Sequence, residues 1–231
     1  MFLSNRYTGI ITKLILKKIL NQTKINSLKI LDKQINQIYD DYNNTYINER
    51  SIEIPFCKHL IKEKIVNIKN PKILEIGNTL IHYEGSEKIS RKILDKYEIY
   101  PEVINEDIVE YSPNEKFDLI FSISTLEHVG SDYGEKNQQE KFMDAINRSV
   151  DLLKNKGFFI VTLPLFYRQA VDNYVFGNES FNEKYFLIRE NFNNDWKLSN
   201  EDEVINKKDY LGYNKNYPCA NSIFIGVIEK N

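Results

Sequence analysis

Between residues 72 and 130 the chain repeats one pattern, in which a short apolar run is closed by an acidic or small residue. The segments KILEIGN, KILDKYE, the pair Glu106-Asp107 and FDLIFSISTLEHVG follow one another in that order. Short apolar runs bounded by turn residues predict buried strands, here over 72–76, 92–94, 102–104 and 117–123. Helical spacing predicts a helix over 55–68 and another from about 138 to 154, the latter with Phe142, Ile146, Val150 and Leu153 on one face. Gly157 is read as the cap of that second helix. A strand over 158–163 then stops at Pro164, and the small and apolar residues of 222–229 predict a last strand. The Tyr- and Asn-rich stretch between them is read as irregular.

Alternating strands and helices predict an α/β fold: a Rossmann-like, mostly parallel twisted sheet with helices on both faces. Ahead of it, Ile10, Ile11, Leu14, Ile15 and Ile19 recur at helical spacing, with Lys13, Lys17 and Lys18 largely opposite them. This predicts an amphipathic helix, with too short an apolar run to span a bilayer, which takes about 20 residues. Packing on the domain is the preferred reading; a membrane-surface contact or a partner helix are the others. A weaker helical pattern through Leu28, Ile30, Leu31, Ile35 and Ile38 predicts a second helix. The organisation is therefore a helical extension over 1–70, then one α/β domain over 71–231 with an irregular insertion at about 165–218.

Composition narrows the classes. The 231 residues are 42% apolar and 13% aromatic with a formal net charge of -2, an ordinary globular balance. No basic excess favours nucleic acid as a partner. Cys57 and Cys219, far apart in the chain, are read as reduced thiols, which fits a cytoplasmic setting. No His/Cys cluster suggests a metal, and His59 and His82 have no partner pattern.

Ligands of open α/β sheets bind beyond the carboxyl ends of the strands. Gly77 ends the first core strand, where a residue without Cβ lets a ligand approach the backbone. Asp95 lies about twenty residues beyond Glu75, a spacing at which a carboxylate can accept both hydroxyls of a ribose. Asp107, at the next strand end, is an acceptor suited to an exocyclic amine such as that of adenine. A nucleoside ligand follows, without a pyrophosphate: Gly77 is followed by Asn78, Thr79 and Leu80, with no further glycine until Gly85.

These motifs resemble class I S-adenosylmethionine-dependent methyltransferases over roughly 72–164, closest to the type 11-like group whose fourth strand runs into a Leu-Glu-His-Val segment, here Leu126-Glu127-His128-Val129. The resemblance implies S-adenosyl-L-methionine as cofactor, with Glu75 and Gly77 beside its methionine, Asp95 at the ribose, and Asn78 and Lys96 among its other contacts. It places Asp107 and the Ile108 amide at the adenine, and the Ser122 and Ile123 carbonyls at the ammonium. The second and third glycines of the family's first motif are absent. His128, with Glu127, is the candidate general base; a structural role shaping the loop is the alternative for His128. Glu127-His128-Val129-Gly130 also resembles the bicarbonate segment of cyclopropane fatty acid synthases, which the rest of the chain does not follow.

Asp118, at the start of its strand, is read as structural. Asn48, Glu49, Arg50, Glu53 and Pro55, together with Tyr167, Asp172, Tyr174, Arg189, Trp196 and Tyr210, are expected around the acceptor. Aromatics, carboxylates and Arg suit a small polar molecule such as a sugar or glycan, methylated on oxygen or nitrogen. A non-catalytic binding or scaffold protein of the same fold is the alternative. A nicotinamide-dependent enzyme is disfavoured by the missing phosphate cradle.

Overall fold

The computed structural model describes residues 27–30, 33–83, 89–131 and 139–231. The helix read over residues 10–20 lies outside them. The described residues form two sheets. A hairpin pairs β1 (Ser27–Ile30) with β2 (Lys33–Asn36), antiparallel, with Leu28 opposite Ile35. The second sheet has eight strands: β3 (Ile73–Ile76), β4 (Lys92–Leu94), β5 (Val103–Ile104), β6 (Phe117–Ile123), β7 (Leu153–Pro164), β8 (Glu183–Arg189), β9 (Trp196–Ser199) and β10 (Ser222–Glu229). Their order is β5-β4-β3-β6-β7-β10-β8-β9. Pairings from β5 to β7 are parallel, and those from β7 through β10 and β8 to β9 are antiparallel. The fold is thus α/β and Rossmann-like on its parallel side, with a mixed rather than mostly parallel sheet.

Alternation along the strands fills both faces. Leu74, Ile120, Phe159, Val161 and Phe224 belong to one core, capped by α2 (Gln139–Asp151) and α3 (Gln169–Val175). Ile73, Leu119, Phe121, Ile160, Ile223 and Ile225 belong to the other, covered by α1 (Arg50–Ile65) through Ile52, Phe56 and Leu60. Each such side chain, once removed from water, contributes about 1.5–3 kcal/mol. Two short helices, α4 (Glu201–Asn206) and α5 (Lys208–Leu211), follow β9.

Four expectations are corrected. Leu28, Ile30 and Ile35 lie on strands, not on a second helix: they are buried at alternate positions of a hairpin packed in the α1 core. The helix expected from residue 55 begins at Arg50 and carries Pro55 inside it. Proline has no N–H for the carbonyl four residues back, and here the Ile38 N–H takes that Ser51 carbonyl at 2.8 Å. Gly157 caps nothing, because α2 already ends at Asp151 and residue 157 lies within β7, where a Cβ would stand 2.9 Å from the Lys154 carbonyl oxygen. Finally, the stretch read as irregular supplies β8 and β9, which extend the sheet beyond β10. Among the described residues, no helix is long and apolar enough to cross a membrane.

Candidate functional site

The strand order reverses at β3, with β4 on one side and β6 on the other. The loops leaving the carboxyl ends of these strands therefore part, and a cleft opens between them. It has a volume of about 280 Å³, and Gly77, Asn78, Asp95, Lys96, Asp107, Ile108 and His128 line it. Those seven predicted residues are brought together. Glu75, Ser122, Ile123 and Glu127 are not part of the lining.

Gly77 adopts φ 85°. A Cβ there would lie 2.7 Å from Thr125 Cγ2 and 2.9 Å from Thr125 Cβ, so both the backbone and the crowding call for glycine. Its N–H donates to the Leu94 carbonyl at 2.8 Å, which ties the ends of β3 and β4 together. Asp95 Oδ1 accepts the Tyr97 and Glu98 N–H groups, each at 2.8 Å, and its Oδ2 accepts no hydrogen bond among the described residues. Asp107 is engaged: Oδ2 lies 3.1 Å from Lys96 Nζ and 2.8 Å from Lys141 Nζ, and Oδ1 accepts the Val109 N–H at 3.1 Å. Burial would raise its pKa, but these bonds outweigh burial and hold it below the usual carboxylate value.

Glu75 turns away from this space and organises it. Its Oε1 accepts from the Thr79 N–H at 2.9 Å and the Leu80 N–H at 2.7 Å, and its Oε2 accepts from Arg91 Nε. It is fully buried, and burial pushes its pKa up against those bonds. The loop after β3 is therefore folded around a carboxylate where the dinucleotide-binding turn uses glycines. Asn78 Nδ2 donates to Glu98 at 2.8 Å, whereas its buried Oδ1 has no partner among the described residues.

At the end of β6, Arg50 occupies the Ile123 carbonyl, one of the two expected to meet an ammonium; the Ser122 carbonyl is not among its partners. Its Nη1 donates to Ile123 O at 3.1 Å and to Glu53 Oε2 at 2.9 Å, and its Nη2 reaches Ser124 O at 3.3 Å. Ile123 O also accepts from the Thr79 and Thr125 hydroxyls at 3.3 and 3.1 Å. Burial would lower the Arg50 pKa, but Glu53, Glu49 and Glu127 raise it further than burial lowers it. The other oxygen of Glu53 accepts from the Ser124 and Thr162 hydroxyls. Glu127 is buried with its Oε2 unpartnered among the described residues, and its Oε1 lies 3.6 Å from His128 Nε2. Burial drives its pKa well above the usual value, against its own backbone N–H and Arg50 and with Glu53 and Glu49 adding.

The wall opposite comes from residues with no chemical signature in the sequence. Tyr42 stacks on His82 with centroids 4.1 Å apart, and Tyr83 meets Tyr42 edge-on at 5.5 Å. All three line the cleft, as do Thr125 and Lys141. Of the expected acceptor rim, Arg50 lines the cleft, and Tyr167 meets the ring of His128 edge-on at 5.6 Å. The rest is framework. Arg189 is 2% exposed and donates to the carbonyls of Ile47, Pro218 and Asn191, with burial lowering its pKa to about 10. The Trp196 indole donates to Asn194, whose own amide holds Thr45 O, Asn48 O and Ser51 Oγ. Arg189 and Asn194 thus pin the segment that delivers Arg50. Asp172 accepts the Phe166 N–H, and Tyr174 packs edge-on to Phe142 and Phe181. Tyr210 meets the Tyr217 hydroxyl at 3.0 Å. Asp118 is bound by Lys154 and the Lys72 N–H, in keeping with a structural role. Among the described residues, no group of three or more His, Cys, Asp or Glu could hold a metal ion.

No protein-family model matches the chain. A curated protein of Fowlpox virus (strain NVSL), named as an ankyrin repeat protein, is 29% identical over 108 residues, covering 46% of this chain. The chain spans 39% of that protein's length. Stacked helical repeats do not produce an eight-stranded sheet such as this one. Solved structures similar to the chain include S-adenosylmethionine-dependent methyltransferases. The N-methyltransferase NodS from Bradyrhizobium japonicum WM9, in complex with S-adenosyl-L-homocysteine, is 11% identical at a TM-score of 0.46, over 75% of this chain and 84% of that one. A methyltransferase from Archaeoglobus fulgidus is 15% identical at 0.43, over 76% and 93%, respectively. One from Clostridium acetobutylicum ATCC 824 is 15% identical at 0.40, over 75% and 90%. Likeness of this degree assigns neither an activity nor a ligand to this chain.

Proposed function

We propose that the cleft binds S-adenosylmethionine and that the chain transfers its methyl group to a nitrogen or oxygen of a small polar acceptor. The observation that carries this reading is the cleft at the β3 switch point, floored by Gly77 and carrying Asp95 at the end of β4, whose Oδ2 accepts no hydrogen bond among the described residues. Asp95 Oδ2 would accept the ribose hydroxyls. The backbone at Gly77 would face the methionine portion, and the Asp107-Ile108 turn the adenine. Arg50, at the end of β6, suits the carboxylate of the methionine better than its ammonium, because a guanidinium pairs with a carboxylate in two parallel hydrogen bonds.

The sulfonium is already activated toward displacement, so the protein's contribution is alignment, exclusion of water and removal of a proton from the acceptor. His128 lines the cleft and would take that proton. One observation favours a non-catalytic binding protein instead. Glu75, Asp107 and the Ile123 carbonyl, three of the expected donor contacts, are each satisfied within the chain.

Titration with S-adenosylhomocysteine tests the donor site. Release of S-adenosylhomocysteine in the presence of candidate acceptors separates an enzyme from a binding protein.

A further inference from the structure

Tyr42 lines the same cleft as Asp95 and Arg50 and is 46% exposed, although it is a large ring. His82 covers one face of that ring, with the two planes 14° apart, and Tyr83 meets it edge-on. Among the described residues no further ring or cation meets Tyr42, so its second face is the one left to the cleft.

The ring is also fixed in place from both sides. The Tyr42 N–H donates to Asp40 Oδ1 at 2.7 Å, and the next two residues, Asn43 and Asn44, pass through the left-handed region at φ 54° and 51°. Asparagine adopts that backbone more readily than most side chains. Asn48 Nδ2 closes the turn by donating to the Asn43 carbonyl at 2.6 Å. On the other side, His82 belongs to the turn Leu80–Tyr83, which Glu75 anchors at the Thr79 and Leu80 N–H groups.

Neighbouring charges show where along the cleft Tyr42 stands. Burial and then Glu98 raise the pKa of its hydroxyl while Arg50 lowers it, so it lies within electrostatic reach of both. The Glu98 N–H is one of the two that hold Asp95 Oδ1, and Glu98 Oε1 lies 3.8 Å from His82 Nε2. Tyr42 therefore stands between the Asp95 end of the cleft and its Arg50 end. With a ribose at Asp95 and the methionine carboxylate at Arg50, the portion of the donor between them is the sulfonium. A cation against the face of an aromatic ring is attracted by the ring quadrupole, the more so away from water.

Resting on the methyl-transfer reading, we propose that the open face of Tyr42 receives the sulfonium, and that this residue sets a preference for the charged donor over the neutral product. When the acceptor's lone pair takes the methyl carbon, the C–S bonding pair stays on sulfur and the sulfonium becomes a thioether. The attraction to the ring disappears with the charge. The contact therefore favours donor binding and product release, and does not lower the barrier between them.

The test is titration of the full chain with S-adenosylmethionine and with S-adenosylhomocysteine, which differ by the methyl group and the charge on sulfur. Wild type is compared with Tyr42→Phe, which keeps a ring, and with Tyr42→Leu and Tyr42→Met, which keep apolar contact without one. Thermal unfolding first confirms that each is folded, and either ringless variant suffices. The ratio of the two dissociation constants is the readout. Wild type and Tyr42→Phe should favour the methionine form by the same factor, and a ringless variant should reduce that factor by about threefold to thirtyfold, the span of a cation–π contact. Failure of both ligands to bind wild type overturns the donor reading, and the proposal with it. With both bound, a ratio unchanged in the ringless variants assigns Tyr42 to packing alone and overturns the proposal, leaving the donor reading intact. A ratio lost in Tyr42→Phe overturns it as well, because the ring is then not what matters.

Discussion

The side chain of Thr125 fills the space in which any side chain at Gly77 would begin, so the loop after β6 and the end of β3 are locked together at the floor of the cleft. Gly77→Ala meets two penalties there, about 1–2 kcal/mol for the left-handed backbone and the displacement of Thr125. We expect a loss of at least about 2 kcal/mol in denaturant unfolding, well above an ordinary surface substitution. Gly77→Ala in a Thr125→Ser background should recover part of that loss, because one of the crowding atoms is gone. Strict additivity of the two changes would show that the contact is not responsible.

Glu53 is the buried hub between α1, the turn after β6, and β7. Glu53→Ala leaves the largely buried Arg50 guanidinium without its closest partner and strands the Ser124 and Thr162 hydroxyls. A cost of about 3–5 kcal/mol follows from breaking a buried ion pair on one side. Chemical denaturation measures it, and a cost below about 1 kcal/mol would mean that Arg50 finds another carboxylate.

Pro55 should be tolerated far better than an interior helix proline usually is. The carbonyl that it deprives of a donor already holds the Ile38 N–H, so Pro55→Ala should change stability by less than about 1 kcal/mol, against the roughly 3 kcal/mol typical of such sites. A large stabilisation on substitution would contradict this.

Glu127 predicts a pH dependence. Burial raises its folded pKa above the unfolded value, so the folded state holds its proton more tightly. The stability that this contributes is complete below the unfolded pKa and is lost as pH rises through the folded one. Every tenfold by which folding tightens the hold on that proton is worth about 1.4 kcal/mol. Glu127→Gln should therefore melt higher than wild type at pH 8, with the gap closing toward pH 4.5. Glu49 is raised by burial as well, so some of the alkaline loss should persist in the variant. A gap independent of pH would show that Glu127 stays ionised.

The parallel half of the sheet was legible because ILEI and FDLIFSI are buried on both sides and read as continuous apolar runs. The start of α1 was not, because Ser51–Cys57 is buried nearly all round and has no polar face to reveal its period. Leu28, Ile30 and Ile35 are too few to separate a period of 2 from one of 3.6, and the tertiary contact with α1 decides it. The apolar run at Tyr185–Ile188 was a usable strand signal within β8, hidden by the Asn-rich residues around it. At the site, strand-end positions located Asp95 and Asp107, but no spacing could show that Lys96 and Lys141 hold Asp107. Nor could spacing show that the guanidinium of Arg50 lies against the end of β6, since both arrangements depend on residues distant in the chain.

Calorimetric titration of S-adenosylhomocysteine into wild type and Asp95→Ala tests the central claim most directly. Micromolar binding that weakens at least about tenfold in the variant, roughly 1.4 kcal/mol, is the result predicted for a ribose held by Asp95 Oδ2. Absence of heat and of thermal stabilisation in the wild type would contradict the donor site.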